Sequence, residues 1–140
     1  MTTDFSREPH IELKNVRKTF DNGSEAVRDL SLTVYRGETL VLIGPSGCGK
    51  TTTLRLVNRL AEPTSGRILF DGENTLDMCP DLLRQRMGYV IQSIGLFPHM
   101  TVEDNVAVVP RLRKMKREAV REAVARCLEL VGLPVQAWGK

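Results

Sequence analysis

A glycine-rich loop between an apolar segment and a helix-like segment carries the most distinctive chemistry in this sequence. Residues 44–51 read GPSGCGKT and fit the pattern G-x-x-x-x-G-K-[ST]. Glycines in such a loop let successive backbone N–H groups point inward at phosphate oxygens, and the following helix adds the positive end of its dipole. An ordinary glycine-rich turn is the alternative, but the strand–loop–helix context favours a nucleotide phosphate site.

The side chains of this loop have separate predicted roles. Lys50 is expected to reach the β- and γ-phosphates as a point charge, and the Thr51 hydroxyl is expected to ligate Mg²⁺. Thr52 can offer a further hydroxyl to a phosphate, whereas Cys48 is interpreted as a small filler residue. The predicted phosphate-binding set is Gly44, Pro45, Ser46, Gly47, Cys48, Gly49, Lys50, Thr51 and Thr52.

Composition places the chain among ordinary folded domains. It has 140 residues, 41% of them hydrophobic, and a formal net charge of +3, which predicts one domain with a core. There is no transmembrane or signal pattern, and the three cysteines lack disulfide or metal spacing, which predicts reduced thiols. The basic cluster at 111–121 is interpreted as a solvated helix face, and no nucleic-acid partner is predicted.

Alternation of apolar and polar residues predicts the strands. They are expected at residues 11–20, 26–35, 38–44, 67–72 and 87–92. Asn22-Gly23 predicts a hairpin turn between the first two, and hence an antiparallel N-terminal sheet. Residues 38–44 and 87–92 are apolar on both sides, which is typical of strands buried in a parallel sheet.

Helical spacing and capping residues predict the helices. They are expected at residues 50–61, from the N-cap Thr101 onward, and at 116–131, with one further helical turn within 79–86. The last helix is expected to bury one face and to end at Gly132 as a C-cap. That face contains Val120, Val124, Cys127, Leu128 and Val131. The alternation of strands and helices predicts an α/β fold.

Two longer segments resemble a known family. IGPSGCGKTTTLRLVNRLAEPTSGRILFDGE (43–73) and GYVIQSIGLFPHMTVEDNV (88–106) resemble the ATP-binding subunits of ABC transporters, in particular importers for quaternary-amine osmoprotectants such as glycine betaine, choline or carnitine. The resemblance implies a P-loop NTPase fold with an N-terminal antiparallel β-subdomain and a partial RecA-like core at 10–92. It also implies the start of an α-helical subdomain at 93–135, and ATP and Mg²⁺ as cofactors.

The same resemblance assigns two site residues outside the loop. Phe20 lies where the family places an aromatic ring that stacks on adenine, although a strand-end core residue is the alternative. Gln92 matches the glutamine that ligates Mg²⁺ and helps to place water.

The resemblance also implies partners. Residues 93–110 are expected to dock on transmembrane permease subunits through an apolar loop of Leu96, Phe97, Pro98 and His99, the alternative being simple packing of that loop on the helix at 101–109. A second ATP-binding subunit would complete a homodimer, and an extracytoplasmic substrate-binding protein would belong to the same system. The chain is then expected to be cytoplasmic, on the inner face of the cell membrane.

Several parts of the family pattern are not present in the 140 residues. There is no LSGGQ signature, no later apolar strand ending in Asp-Glu and no switch histidine. Asp71 after RILF imitates a catalytic strand-end carboxylate, but a turn explains it better. The sequence is therefore predicted to be an N-terminal fragment that binds Mg-ATP without hydrolysing it. A truncated interaction module and a small P-loop kinase using Asp71 are the alternatives.

Overall fold

The structure is a computed structural model that describes residues 8–93 and 95–133. It divides into two compact units, before and after the bond between Gly88 and Tyr89. The first unit contains β1 (Pro9–Thr19), β2 (Glu25–Tyr35), α1 (Lys50–Val57), β3 (Ser65–Phe70), β4 (Glu73–Asn74) and α2 (Pro80–Arg86). The second contains α3 (Val102–Leu112) and α4 (Arg117–Leu130).

The first unit is built on one antiparallel sheet with the strand order β2-β1-β3-β4. Leu13 in the central strand β1 pairs with Leu32 of β2 on one side and with Ile68 of β3 on the other. This confirms the predicted N-terminal antiparallel sheet, and it adds the strand predicted at 67–72 to the same sheet.

Two tight turns close the hairpins of this sheet. The Gly23 N–H donates to the Phe20 carbonyl oxygen at 2.8 Å, and Gly23 has a φ of 79°. The predicted Asn22-Gly23 turn is therefore confirmed, with the left-handed conformation at the glycine. Asp71 and Gly72 have φ values of 51° and 80°, and they form the two-residue loop between β3 and β4, as hairpins of this length require.

The core of the first unit lies between the sheet and α1. Leu13, Val16, Val27 and Ile68 from the strands pack with Leu56 of the helix. The helix predicted at 50–61 ends at Val57, and Arg59 has a left-handed φ of 49°. Within α1, Thr53 and Leu56 form the buried face, whereas Leu54 is 49% exposed.

Two of the predicted strands are wrong. Residues 38–44 and 87–92 form no strand in the structure, and Ile43 and Val90 are 91% and 96% exposed. A strand needs a neighbour for its backbone N–H and C=O groups, and within the described residues neither segment pairs with another strand. The parallel sheet that their apolar sequences indicate is therefore not formed by these residues.

The second unit is a helical hairpin. Ala107 of α3 packs with Val120, Val124 and Leu128 of α4. Cys127 and Val131 were predicted for the same face but are exposed. The buried residues of α4 recur every four positions, at 120, 124 and 128, and neither Cys127 nor Val131 lies at such a position.

Capping residues set the ends of these two helices as predicted. Thr101 Oγ1 accepts from the Asp104 N–H at 3.1 Å at the start of α3. The Gly132 and Leu133 N–H groups close α4 on the carbonyl oxygens of Glu129 and Leu128, at 3.0 and 2.9 Å. No helix in the described part of the chain has the length and hydropathy needed to span a bilayer.

Candidate nucleotide-binding site

The end of the glycine-rich loop is fixed against the sheet. Gly49 is the N-cap of α1 and has a φ of 94°. A Cβ at this position would lie 2.2 Å from the carbonyl oxygen of Ala26 in β2. Only glycine fits both the left-handed conformation and this close approach, so the loop delivers the first turn of α1 to a defined place beside β2.

Lys50 is folded back onto the loop. Its Nζ donates to the carbonyl oxygens of Gly44 and Pro45, both at 2.7 Å, and lies 3.4 Å from Cys48 Sγ. The side chain thereby closes the loop into a ring and holds its positive charge against the start of the loop.

The hydroxyl groups after Lys50 differ in their surroundings. Thr53 is buried, and its Oγ1 donates to the Gly49 carbonyl oxygen at 3.0 Å. Thr51 is exposed and Thr52 is half-buried. Thr53 therefore stabilises the first turn of α1, whereas the Thr51 hydroxyl remains accessible for a metal ion.

A cleft of about 400 Å³ lies between the loop and β2. Gly47, Cys48 and Thr53 form one wall, and residues of β2 between Glu25 and Leu30 form the other. Glu25 brings a negative charge to this wall, but Arg28 Nε lies 2.8 Å from its carboxylate. The opposite charges of Glu25 and Arg28 offset each other. The cationic loop is therefore the main charged feature of the site.

Phe20 lies at the same end of the β1–β2 hairpin as the loop. It directly follows β1, and its N–H donates to the Ser24 carbonyl oxygen at 2.9 Å. Ser24 is two residues before Ala26, the residue that Gly49 contacts. Its side chain is 41% exposed, and Lys18 Nζ lies 5.3 Å from the ring centroid. The alternative of a core residue is therefore not supported, and the ring can take part in stacking.

Gln92 belongs to the second unit. It is exposed, and it lies in a segment without regular secondary structure. The structure thus brings the loop residues and Phe20 together within one unit, and Gln92 as a metal ligand stays a prediction.

Asn105 is a residue that the sequence analysis missed. Its Oδ1 accepts from the Phe97 N–H at 2.8 Å, and its Nδ2 donates to the carbonyl oxygens of Phe97, Met100 and Thr101, at 2.9 to 3.2 Å. It therefore ties the loop after Gln92 to α3. The sequence did offer one signal for Asn105, because asparagine is a poor helix former and stands here inside a predicted helix.

Asp71 has a structural role in the hairpin between β3 and β4. Its carboxylate accepts from His10 Nδ1 at 2.6 Å, from Arg36 at 2.5 Å and from Arg86 at 2.7 Å. The His10 hydrogen bond and the charges of Arg36, His10 and Arg86 lower the pKa of Asp71, against a smaller opposing effect of desolvation. Three donors occupy this carboxylate, which argues against Asp71 as a catalytic base.

The sequence matches a known family over most of its length. The family model described as ABC transporter matches residues 27–138. This chain belongs to the ABC transporter family.

This ABC transporter chain is similar to ATP-binding proteins of known transport systems. It is 48% identical over 123 residues to the choline transport ATP-binding protein OpuBA of Bacillus subtilis, covering 88% of this chain and 32% of that protein. It is 47% identical over 127 residues to the osmoprotectant import ATP-binding protein OsmV of Salmonella typhimurium, covering 88% and 33%. The chain thus spans about a third of the length of these relatives.

Solved structures confirm the fold. The dimeric ATP-binding cassette MJ0796, in a post-hydrolysis state bound to ADP and Pi, superposes with a TM-score of 0.80 at 30% identity. The match covers 92% of this chain and 60% of that one. The α/β P-loop fold predicted from the sequence is therefore the fold of this ABC transporter chain.

Proposed function

We propose that this ABC transporter chain binds Mg-ATP through residues 44–52 and forms the nucleotide-binding part of an importer ATPase. The observation that carries the proposal is the junction of Gly49 with Ala26, together with the Lys50 ammonium held on the loop. The junction fixes the positive end of α1, and the ammonium group is held on the same loop, an arrangement suited to a polyphosphate.

The residues present fit both cofactors. The glycine-rich backbone and Lys50 would hold the β- and γ-phosphates, and the exposed Thr51 hydroxyl would ligate Mg²⁺ with Gln92. The Phe20 ring would stack on adenine. Bound Mg²⁺ would supply positive charge that offsets the charge of the phosphates, and the loop would fix the position of the phosphates.

The names of the relatives support the proposed substrates and partners. Choline, glycine betaine and carnitine occur in the names of similar ATP-binding proteins, so quaternary-amine osmoprotectants are the proposed substrates. The exposed Leu96 and Phe97 support docking of residues 93–110 on permease subunits. A second copy of the ATP-binding subunit and an extracytoplasmic binding protein complete the proposed system, on the cytoplasmic face of the membrane.

We further propose that residues 1–140 bind ATP without turning it over. In-line attack on the γ-phosphate needs a group that positions water. Asp71, the strand-end carboxylate after the loop, is instead held by the guanidinium groups of Arg36 and Arg86 and by the His10 ring. Binding without transition-state interactions gives little acceleration.

Phosphate release from the purified chain tests this proposal, with Lys50→Ala as the matched control. We expect the same background rate from both, while the unsubstituted chain retains ATP in equilibrium dialysis. Steady turnover that Lys50→Ala abolishes would show that the chain carries its own catalytic base. Retention of ATP by neither protein would favour the interaction-module alternative.

A further inference from the structure

The turn between α3 and α4 concentrates positive charge in the second unit. Residues 111–121 contain six Lys or Arg residues and one Glu. Arg111 forms an ion pair with Asp104 at 2.7 Å. The other five, which form no ion pair with any described residue, are Arg113, Lys114, Lys116, Arg117 and Arg121.

Two apolar side chains are exposed between these cations. Leu112 is 68% exposed and Met115 is 40% exposed. The described part of the turn contains no aromatic residue on which a nucleic-acid base could stack. Exposed aliphatic side chains within a cationic surface are typical of segments that bind anionic lipid bilayers.

The backbone of the turn keeps a lysine where glycine is favoured. Lys114 has a φ of 55°, and its N–H donates to the Arg111 carbonyl oxygen at 2.9 Å, while Met115 N–H donates to that of Pro110 at 3.2 Å. Gly132 closes α4 in the same way with a φ of 70°. A lysine in this conformation is strained relative to glycine, so a role for its charge would explain why it is there.

The acidic residues near the turn do not cancel this charge. Glu103 lines a cleft with Arg111, Arg117 and Arg121 beside the turn. Glu118 and Glu122 lie on the exposed side of α4, and Asp104 is already paired with Arg111. The segment 113–117 therefore exposes four basic side chains and one apolar side chain, Met115, and it contains no acidic residue.

We propose that the turn at residues 111–117 docks on an anionic lipid surface. Lys and Arg side chains contact lipid phosphates there, and Leu112 and Met115 enter the region between headgroups and acyl chains. This contact is independent of the nucleotide site, and it brings the second unit to the membrane without a permease.

Vesicle flotation of the 140-residue chain tests the proposal. The flotation compares two kinds of vesicle. One is phosphatidylcholine in which about a third of the lipid is phosphatidylglycerol, which gives a negative surface potential. The other is pure phosphatidylcholine. The triple variant Arg113→Gln/Lys114→Gln/Lys116→Gln should bind the anionic vesicles about 100-fold more weakly, at about fivefold for each charge. The control Arg55→Gln/Arg67→Gln/Arg126→Gln removes three exposed charges elsewhere and should bind as the parent does.

Three further variants separate docking from folding, from simple charge attraction and from nucleotide binding. Lys114→Gly should raise the thermal unfolding midpoint by relieving the backbone, yet weaken vesicle binding about fivefold. Leu112→Ser/Met115→Ser should weaken it about tenfold with the charge unchanged. Lys50→Ala should leave vesicle binding unchanged, so that failure here and failure of the nucleotide site are distinguishable.

Three outcomes would overturn the proposal. The first is equal binding to neutral and anionic vesicles, and the second is equal loss in the triple variant and its control. The third is binding of duplex DNA or RNA by the parent chain that the triple variant loses, together with no binding of anionic vesicles. That result would assign the turn to a nucleic acid.

Discussion

At the scale of single residues, the exposed ring of Phe20 is the proposed adenine contact. Stacking of a base on an aromatic side chain contributes about 1–3 kcal/mol, or roughly ten- to a hundredfold in affinity. Phe20→Ala should therefore weaken ATP binding by about that factor. It should weaken GTP binding similarly, because a ring face does not read the edge of the base. Calorimetric titration with each nucleotide measures both effects.

Phe20→Tyr is the matched control, since it keeps the ring and should keep the affinity for both nucleotides. Unchanged ATP and GTP affinities in Phe20→Ala would show that the ring does not contact the base.

Gly49 supports a prediction about stability. In Gly49→Ala the new methyl group would meet the Ala26 carbonyl oxygen, and the left-handed backbone would be strained as well. We expect a loss of at least about 2 kcal/mol in the free energy of unfolding by urea.

Gly47→Ala is the control for backbone strain alone. Gly47 has a φ of 82° but no atom within 4 Å of an added Cβ, so the expected loss is about 1 kcal/mol. Equal losses in the two variants would mean that the contact with Ala26 does not constrain the loop.

The candidate residues of the loop were predicted from the sequence alone, because the pattern of types and spacing is local. It did not allow the partner of Gly49 to be predicted, since Ala26 is 23 residues away and meets the loop only in the folded sheet. Asn105 was missed for a related reason. Its four hydrogen bonds depend on how the loop at 97–101 folds back on α3.

At the scale of elements, Asp71 joins the β3–β4 hairpin to β1, to α2 and to Arg36, which directly follows β2. Its folded-state pKa is lowered, so the ionised form stabilises the fold. That stabilisation is complete above the unfolded value, about 3.9, and is lost as the pH falls through the lower folded value. Asp71→Asn should therefore be less stable than the parent at pH 7, by about 1 kcal/mol, with the difference shrinking below about pH 4.

Urea unfolding at pH 7, 4 and 3 measures this dependence. Asp21→Asn is the control, because Asp21 is an exposed carboxylate without an ion pair among the described residues. A difference between parent and Asp71→Asn that stays constant from pH 7 to pH 3 would contradict the assignment.

Elements with local signals were predicted well. Caps and turns placed β1, β2, α3 and α4 within a few residues, because Asn22-Gly23, Thr101 and Gly132 act on the chain next to them. The segments 38–44 and 87–92 were predicted as buried strands from their apolar sequences. Burial of a strand depends on neighbours that lie far away in the sequence, and a local pattern cannot report whether those neighbours are present.

At the scale of the whole molecule, the first unit contains the loop, its supporting sheet and the ring of Phe20. The second contains Gln92, the apolar loop and the basic turn. The proposed activities divide in the same way, with nucleotide binding in the first unit and contacts to a permease and to lipid in the second. The exposed Ile43 and Val90 are apolar surface that the described residues leave uncovered, which favours association with further protein.

The central claim is that residues 44–52 form an ATP site whose essential cation is Lys50. Isothermal titration of the chain with Mg-ATP, beside Lys50→Ala, tests it most directly. The account predicts one bound ATP per chain and no measurable binding in the variant, whose fold is checked by circular dichroism. Equal affinity in the two proteins would contradict the account, because the nucleotide would then be held somewhere other than this loop.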